Sequence, residues 1–299
     1  SSMKETWSVP TWVTGAVITV LALVIIVGGI KTISKVSSVV VPFMAIFYVV
    51  GGLVVIALNY KNIPSGIALI FQCAFSVKAV SGGVLGTITA SMLNGMRYGV
   101  ARGVFSNESG LGSAPIAAAA AKTKWPAEQG LISMTGTFID TIIICTLTGL
   151  TLIVSGQWTS GANGTALTNA AFTSAFPAFG SGLLMVSLVL FAFTTILGWN
   201  YYGERCLVYL FGTKWIPLYR IVFVIMTLVG CFMKLDAIWA LADILNALMA
   251  VPNLIALLCL SGVVSSELKK FIHYRQTGEE PADMEAPAGA AVAASEKAK

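Results

Sequence analysis

Residues 105–122 read FSNESGLGSAPIAAAAAK. Within them, polar and glycine residues (Asn107, Glu108, Ser109, Gly110, Gly112 and Ser113) give way to Pro115 and an alanine run, and Lys122 and Lys124 follow. In hydrocarbon every backbone polar group must be paired, so non-helical backbone survives only inside protein or beside a cavity. The glycines predict a helix break over 107–112, with Ser113 as an N-cap-like residue and Pro115 in the first turn of a helix reaching Lys122. That helix would span about 15 Å. With Lys122 at the cytoplasmic edge, the break falls near the bilayer midplane. A half-helix N-terminus there offers free N–H groups and a positive dipole end, which suits a carboxylate. Glu108 in such a place is costly unless it is paired or functional. The alternative is a cytoplasmic loop anchored by Arg97 and Arg102, with the discontinuity at 75–83 instead.

The surrounding sequence supports a membrane reading. Of 299 residues, 57% are hydrophobic and 10% charged, against about 25% charged in soluble domains, and mean hydropathy is +0.85. This excludes a soluble enzyme, a disordered chain and, despite a net charge of +5, a nucleic-acid binder. Eleven of the 31 charges lie in residues 267–299. The fold class is therefore an all-α polytopic membrane protein, with a transmembrane domain over 1–264 and a cytoplasmic, disordered tail over 265–299.

A membrane-crossing helix needs about 20 apolar residues. Candidate spans are 11–30, 39–58, 131–154, 183–201, 221–233 with its flanks and 238–264. Residues 63–76 suit a half-membrane helix, 81–121 a discontinuous span, and 155–182 a long uncharged loop. The excess of Lys and Arg on one set of loops (Lys31, Lys35, Lys122, Lys124, Arg205, Lys214, Arg220 and the tail) places that side, and the C-terminus, in the cytoplasm.

Cys73, Cys145, Cys206, Cys231 and Cys259 are scattered without metal-ligand spacing and read as small buried residues, and the sole histidine, His273, lies in the tail. No nucleophile-elbow, zinc-protease or phosphate-loop motif is present, so no enzyme activity is expected.

Two further features carry chemistry. In the run Phe191-Ala-Phe-Thr194-Thr195-Ile-Leu-Gly-Trp199, adjacent hydroxyls in an apolar helix either ligate an alkali cation or bond the carbonyls one turn back. Trp199 shares a face with Thr195. Asp140 is a lone acid inside a span. It either pairs with a cation, bonds hydroxyl neighbours such as Thr137 and Thr141, or serves transport. Asn246, Pro252 and Asn253 mark a kinked helix.

The run from Arg102 through Ala120 resembles the sodium–alanine/glycine symporter family. The likeness continues through Gln129-Gly130, Gly136, Phe138-Ile-Asp-Thr141, Cys145-Thr146, the Phe191–Trp199 block and Leu241-Ala-Asp-Ile, covering about residues 10–270. The resemblance implies a LeuT-type fold of two inverted five-helix repeats plus one helix, of which this chain carries about seven membrane segments, one discontinuous. It implies Na⁺ as coupling ion, no other cofactor, and alanine or glycine as substrate, in a multi-pass protein of the cell membrane. Thr194 and Thr195, with Phe191 beside them, match the sodium site. Trp199 lines the amino-acid pocket. Asn107, Glu108, Ser109, Gly110, Gly112 and Ser113 form the substrate-facing break of the sixth core helix. The glycine-rich first core helix and the aromatic signature of the second are not among these residues. The chain is therefore expected to be the C-terminal portion of a longer carrier, whose N-terminal half completes both sites. Two rivals remain: a proton-coupled or other-substrate carrier using Glu108 or Asp140, and a non-transporting membrane scaffold.

Overall fold

The computed structural model describes residues 7–75, 85–162, 164–233 and 235–279, and every regular element among them is helical. In chain order these are α1 (Thr11–Val27), α2 (Gly29–Leu58), α3 (Ile63–Phe75), α4 (Leu85–Asn107), α5 (Ala114–Ala118), α6 (Pro126–Phe138), a π-helical turn (Ile139–Cys145), α7 (Thr146–Val154), α8 (Gly164–Ala175), α9 (Gly180–Phe211), α10 (Ile216–Gly230), α11 (Leu235–Cys259) and α12 (Ser261–Thr277). Five stretches are long and apolar enough to cross a membrane: Lys31–Leu58, Pro126–Val154, Gly180–Phe211, Thr213–Gly230 and Ala237–Cys259. α1 is apolar but shorter. The alternative discontinuity at 75–83 lies almost wholly outside the described residues.

The helices form two compact units. The first comprises residues 1–96 and 144–234. α2 is its spine, packing on α9, α7 and α8. Tyr48, Val55, Leu147, Phe172, Leu183 and Leu184 form the buried cluster. Bilayer tails are as apolar as these side chains, so close packing rather than water exclusion holds such helices together. Gly51 and Gly52 provide the closeness: a Cβ on Gly51 would lie 2.9 Å from Leu183 Cδ2, and one on Gly52 2.7 Å from Leu147 Cδ2. Tyr48 and Thr148 share a hydrogen bond of 2.7 Å, which satisfies a polar pair within this apolar cluster. At the far end of α9, Glu204 is buried and accepts hydrogen bonds from Arg220 Nε (2.8 Å) and Nη2 (3.1 Å), fixing α10 to α9.

The second unit comprises residues 97–143 and 235–299. α12 packs on α6. Trp125, 5% exposed, stacks on Tyr274 with ring centroids 4.9 Å apart.

Several boundaries differ from those read in the sequence. α2 begins at Gly29 rather than 39, because Lys31 and Lys35 interrupt hydropathy but not helix formation. Residues 155–182 are not a loop: α8 lies within them, with Ala171 and Phe172 fully buried. A charge-free Ser/Thr/Ala segment can be buried once its backbone is helical. α9 continues through 202–211, since Glu204 has its arginine partner on α10. The tail expected from residue 265 is helical to Thr277 and ends at Gly278 with φ 76°. Residues 280–299 lie outside the described residues. Cys145, Cys206, Cys231 and Cys259 are exposed on apolar helices rather than buried.

Candidate functional site

The break in the second unit sits where residues 107–112 predict it. α4 ends at Asn107, and six residues pass before α5. Glu108, Gly110 and Gly112 all take left-handed backbone, with φ 56°, 84° and 80°. Glycine accepts this freely, but at Glu108 it costs about 1–2 kcal/mol.

Side chains hold the turn. Asn107 Oδ1 accepts from the Ser109 N–H at 3.0 Å, and its Nδ2 donates to Thr141 Oγ1 at 2.9 Å. Ser113, fully buried, donates to Glu108 Oε2 at 2.8 Å. Asn253 on α11 donates to the Gly110 carbonyl at 3.0 Å. Its side chain also presses on Gly112, where a Cβ would lie 2.9 Å from Oδ1.

Two expectations need correction. Ser113 has helical backbone angles and makes no capping bond, because its hydroxyl serves Glu108 instead. The alanine run is helical only over Ala114–Ala118. Ala120 and Ala121 then bond three residues back, in a tighter turn. Pro126 forces Trp125 into extended backbone (φ −115°, ψ 117°), which limits how far a helix can run. A five-residue helix supplies little dipole, so the break offers its individual polar groups rather than a helix N-terminus.

Asp140 lies in the π-helical turn, half-buried. It accepts from Ser106 Oγ at 2.8 Å, and Thr141 Oγ1 stands 3.5 Å from its second oxygen. Of the alternatives open in the sequence, hydroxyl partners are the ones observed. A π turn adds one residue to the helix and recurs at functional sites.

In the first unit, α9 carries Phe191, Thr194, Thr195 and Trp199 on consecutive turns. Both threonine hydroxyls donate back along the helix. Thr194 reaches the Leu190 and Phe191 carbonyls at 3.0 and 3.1 Å, and Thr195 the Phe191 carbonyl at 2.8 Å. Donation uses each hydroxyl's proton and leaves its oxygen lone pairs as acceptors. The carbonyl of Phe191 anchors both hydroxyls. Trp199 meets Tyr202 edge-on at 5.7 Å.

Sequence reasoning missed one cluster. Arg102 Nη2 donates to both oxygens of Asp243, at 2.9 and 2.8 Å. The Arg102 guanidinium lies 4.0 Å from the Trp239 ring centroid. Phe105 meets that ring at 5.5 Å. The signal was present: Trp239 and Asp243 share a helix face at i, i+4, and an acid within an apolar span requires a partner.

Five charge-poor stretches of membrane-crossing length, among the described residues, mark a multi-pass membrane protein. The family model described as the sodium:alanine symporter family matches residues 1–285, and the chain belongs to that family, one of transporters rather than enzymes. It is 49% identical over 283 residues to an uncharacterised transporter of Haemophilus influenzae, covering 92% of this chain and 61% of that protein. It is 47% identical to the sodium/alanine symporter AgcS of Methanococcus maripaludis (92% and 60% covered). It is 39% identical to the probable sodium/glutamine symporter GlnT of Bacillus subtilis (86% and 53%). The chain thus spans between half and two thirds of the length of these relatives.

Proposed function

We propose that the protein serves Na⁺-coupled symport of a small neutral amino acid, alanine or glycine, by alternating access within a LeuT-type fold of about seven membrane segments in this chain, C-terminus in the cytoplasm. The observation that carries this reading is the break at 108–113, a glycine-dependent, side-chain-braced interruption in a chain whose family is one of sodium symporters. Thr194 and Thr195 supply hard hydroxyl oxygens to Na⁺, aimed by their shared bonds to Phe191. The polar groups of Asn107, Glu108, Ser109, Gly110, Gly112 and Ser113 face the amino acid, and Trp199 walls its side chain. Coupling requires that ion and amino acid favour the same closed state. The membrane potential adds about 2.3 kcal/mol per charge per 100 mV. Radiolabelled alanine uptake into cells lacking their own alanine carriers tests the reading. Uptake is expected only with Na⁺, and uptake indifferent to Na⁺ would refute it.

A second reading has its own observation. Among the described residues Asp140, an acid within a membrane-length helix, has hydroxyl partners and no cationic one. One relative, 33% identical, is the sodium/proton-dependent alanine carrier protein of Bacillus sp.. In this reading Asp140 carries a coupled proton, and Asp140→Asn abolishes proton-driven uptake while sparing the Na⁺-driven component.

A further inference from the structure

We propose that one end of the first unit, where α2 starts, α9 ends and α10 starts, binds the phosphate of an anionic phospholipid headgroup. The inference holds whichever solute the protein carries. Charge balance motivates it. Among residues 7–96 and 144–233, Glu204 is the only acid. Five bases gather at its end of the unit: Lys31, Lys35, Arg205, Lys214 and Arg220. Lys31 and Lys35 are exposed and lie one turn apart on one face of α2, within its first two turns. A Cβ on Gly29 would lie 4.0 Å from Arg220 Nη2, so the start of α2 abuts the start of α10. Lys214 is exposed in the short turn Thr213–Trp215 that joins α9 to α10.

The buried Glu204 carboxylate is shared by both arginines and cannot neutralise the rest. Arg220 gives it Nε and Nη2, while 23% of its side chain stays exposed. Arg205 reaches it by one contact of 3.3 Å, rests 5.3 Å from the Tyr201 ring centroid and is 44% exposed. Both guanidinium groups are therefore held in place and still accessible. Lys31, Lys35 and Lys214 have no acidic partner among the described residues. The level of the cluster identifies the anion. Three stretches of membrane-crossing length terminate here: Lys31–Leu58 and Thr213–Gly230 at their starts, and Gly180–Phe211 at its end. Hydrocarbon gives way to headgroups at that level, and exposed Tyr209 and Trp215 are the aromatic residues favoured there. Basic clusters at the ends of membrane helices attract anionic headgroups. Exposed Ile221, Val222 and Ile225 continue along α10 from the cluster and suit acyl chains, which a soluble anion lacks.

The test is binding of phosphatidylglycerol, fluorescently labelled on an acyl chain, to the intact protein in a neutral detergent. Saturable binding is expected that unlabelled phosphatidylglycerol displaces and that equal amounts of phosphatidylcholine or inorganic phosphate do not. Combining Lys31→Gln, Lys35→Gln and Lys214→Gln should weaken it at least about tenfold, and the three Lys→Arg changes should retain it. These lysines are exposed and unpaired, so the variants leave packing unchanged. Arg220 is kept, because Glu204 depends on it. Lys31→Gln alone should weaken binding, whereas Lys61→Gln, beyond the opposite end of α2, should not. Equal displacement by phosphatidylcholine, affinity unchanged in the triple Gln variant, or an equal loss with Lys61→Gln would overturn the site. Displacement by inorganic phosphate would overturn the lipid in favour of a soluble anion.

Discussion

At the residue scale, the break depends on atoms that have no substitute. Gly112 combines φ 80° with an asparagine side chain at its Cα. Gly112→Ala must adopt a left-handed conformation costing about 1–2 kcal/mol and also displace Asn253 from the Gly110 carbonyl. The expected result is lower thermal stability in detergent together with loss of uptake. Unchanged stability would show that the turn relaxes freely. Thr195 makes a different prediction. Thr195→Ala removes one hydroxyl from an exposed face of α9 without opening a core cavity. Folding should survive, and the Na⁺ concentration for half-maximal uptake should rise on the order of tenfold, as for a lost charge-directed contact of about 1.5 kcal/mol. These residues were legible because glycine, serine and threonine are conspicuous within apolar sequence. The Arg102–Asp243 pair was not, because 141 residues separate the partners and nothing local announces which charges will meet.

At the element scale, hydropathy located most of the helices and misplaced their ends. Lys31, Lys35 and Glu204 look like interruptions to a hydropathy reading, but helices run through them because the backbone needs only its own hydrogen bonds. α8 was invisible for the opposite reason: Thr, Ser and Asn dilute its hydropathy and offset the helix propensity of its alanines, and Phe172 becomes a core residue only once α2 and α9 surround it. The corner between α8 and α9 shows how tightly it is enclosed. A Cβ on Gly180 would overlap the backbone carbonyl of Phe172, which has no rotamer to change. Gly180→Ala is therefore expected to cost about 1–3 kcal/mol and to shed α8 from the core, detectable as faster hydrogen exchange over residues 164–175. The π turn over Ile139–Cys145 had no sequence signature. Deleting Ile143 should restore ordinary helix and turn Asp140 and Thr141 away from their partners Ser106 and Asn107. Normal membrane insertion with lost uptake is the expected outcome, and retained uptake would make the π turn incidental.

At the scale of the whole molecule, the surface agrees with the composition. Val24, Val39, Tyr209 and Leu258 are each more than two-thirds exposed, as bilayer-facing side chains must be and as a soluble protein would avoid. Polar groups are instead gathered into a few braced clusters: Tyr48 with Thr148, Glu204 with its arginines, and the break with Asn253 and Asp140. The central claim is that the Na⁺ gradient does the work of moving an amino acid. The most direct measurement is alanine accumulation in proteoliposomes of the intact protein with an inward Na⁺ gradient and no pH gradient. Internal alanine is expected to rise above the external concentration and to fall back when a sodium ionophore dissipates the gradient. Simple equilibration across the membrane, or accumulation driven by protons in the absence of Na⁺, would contradict the account.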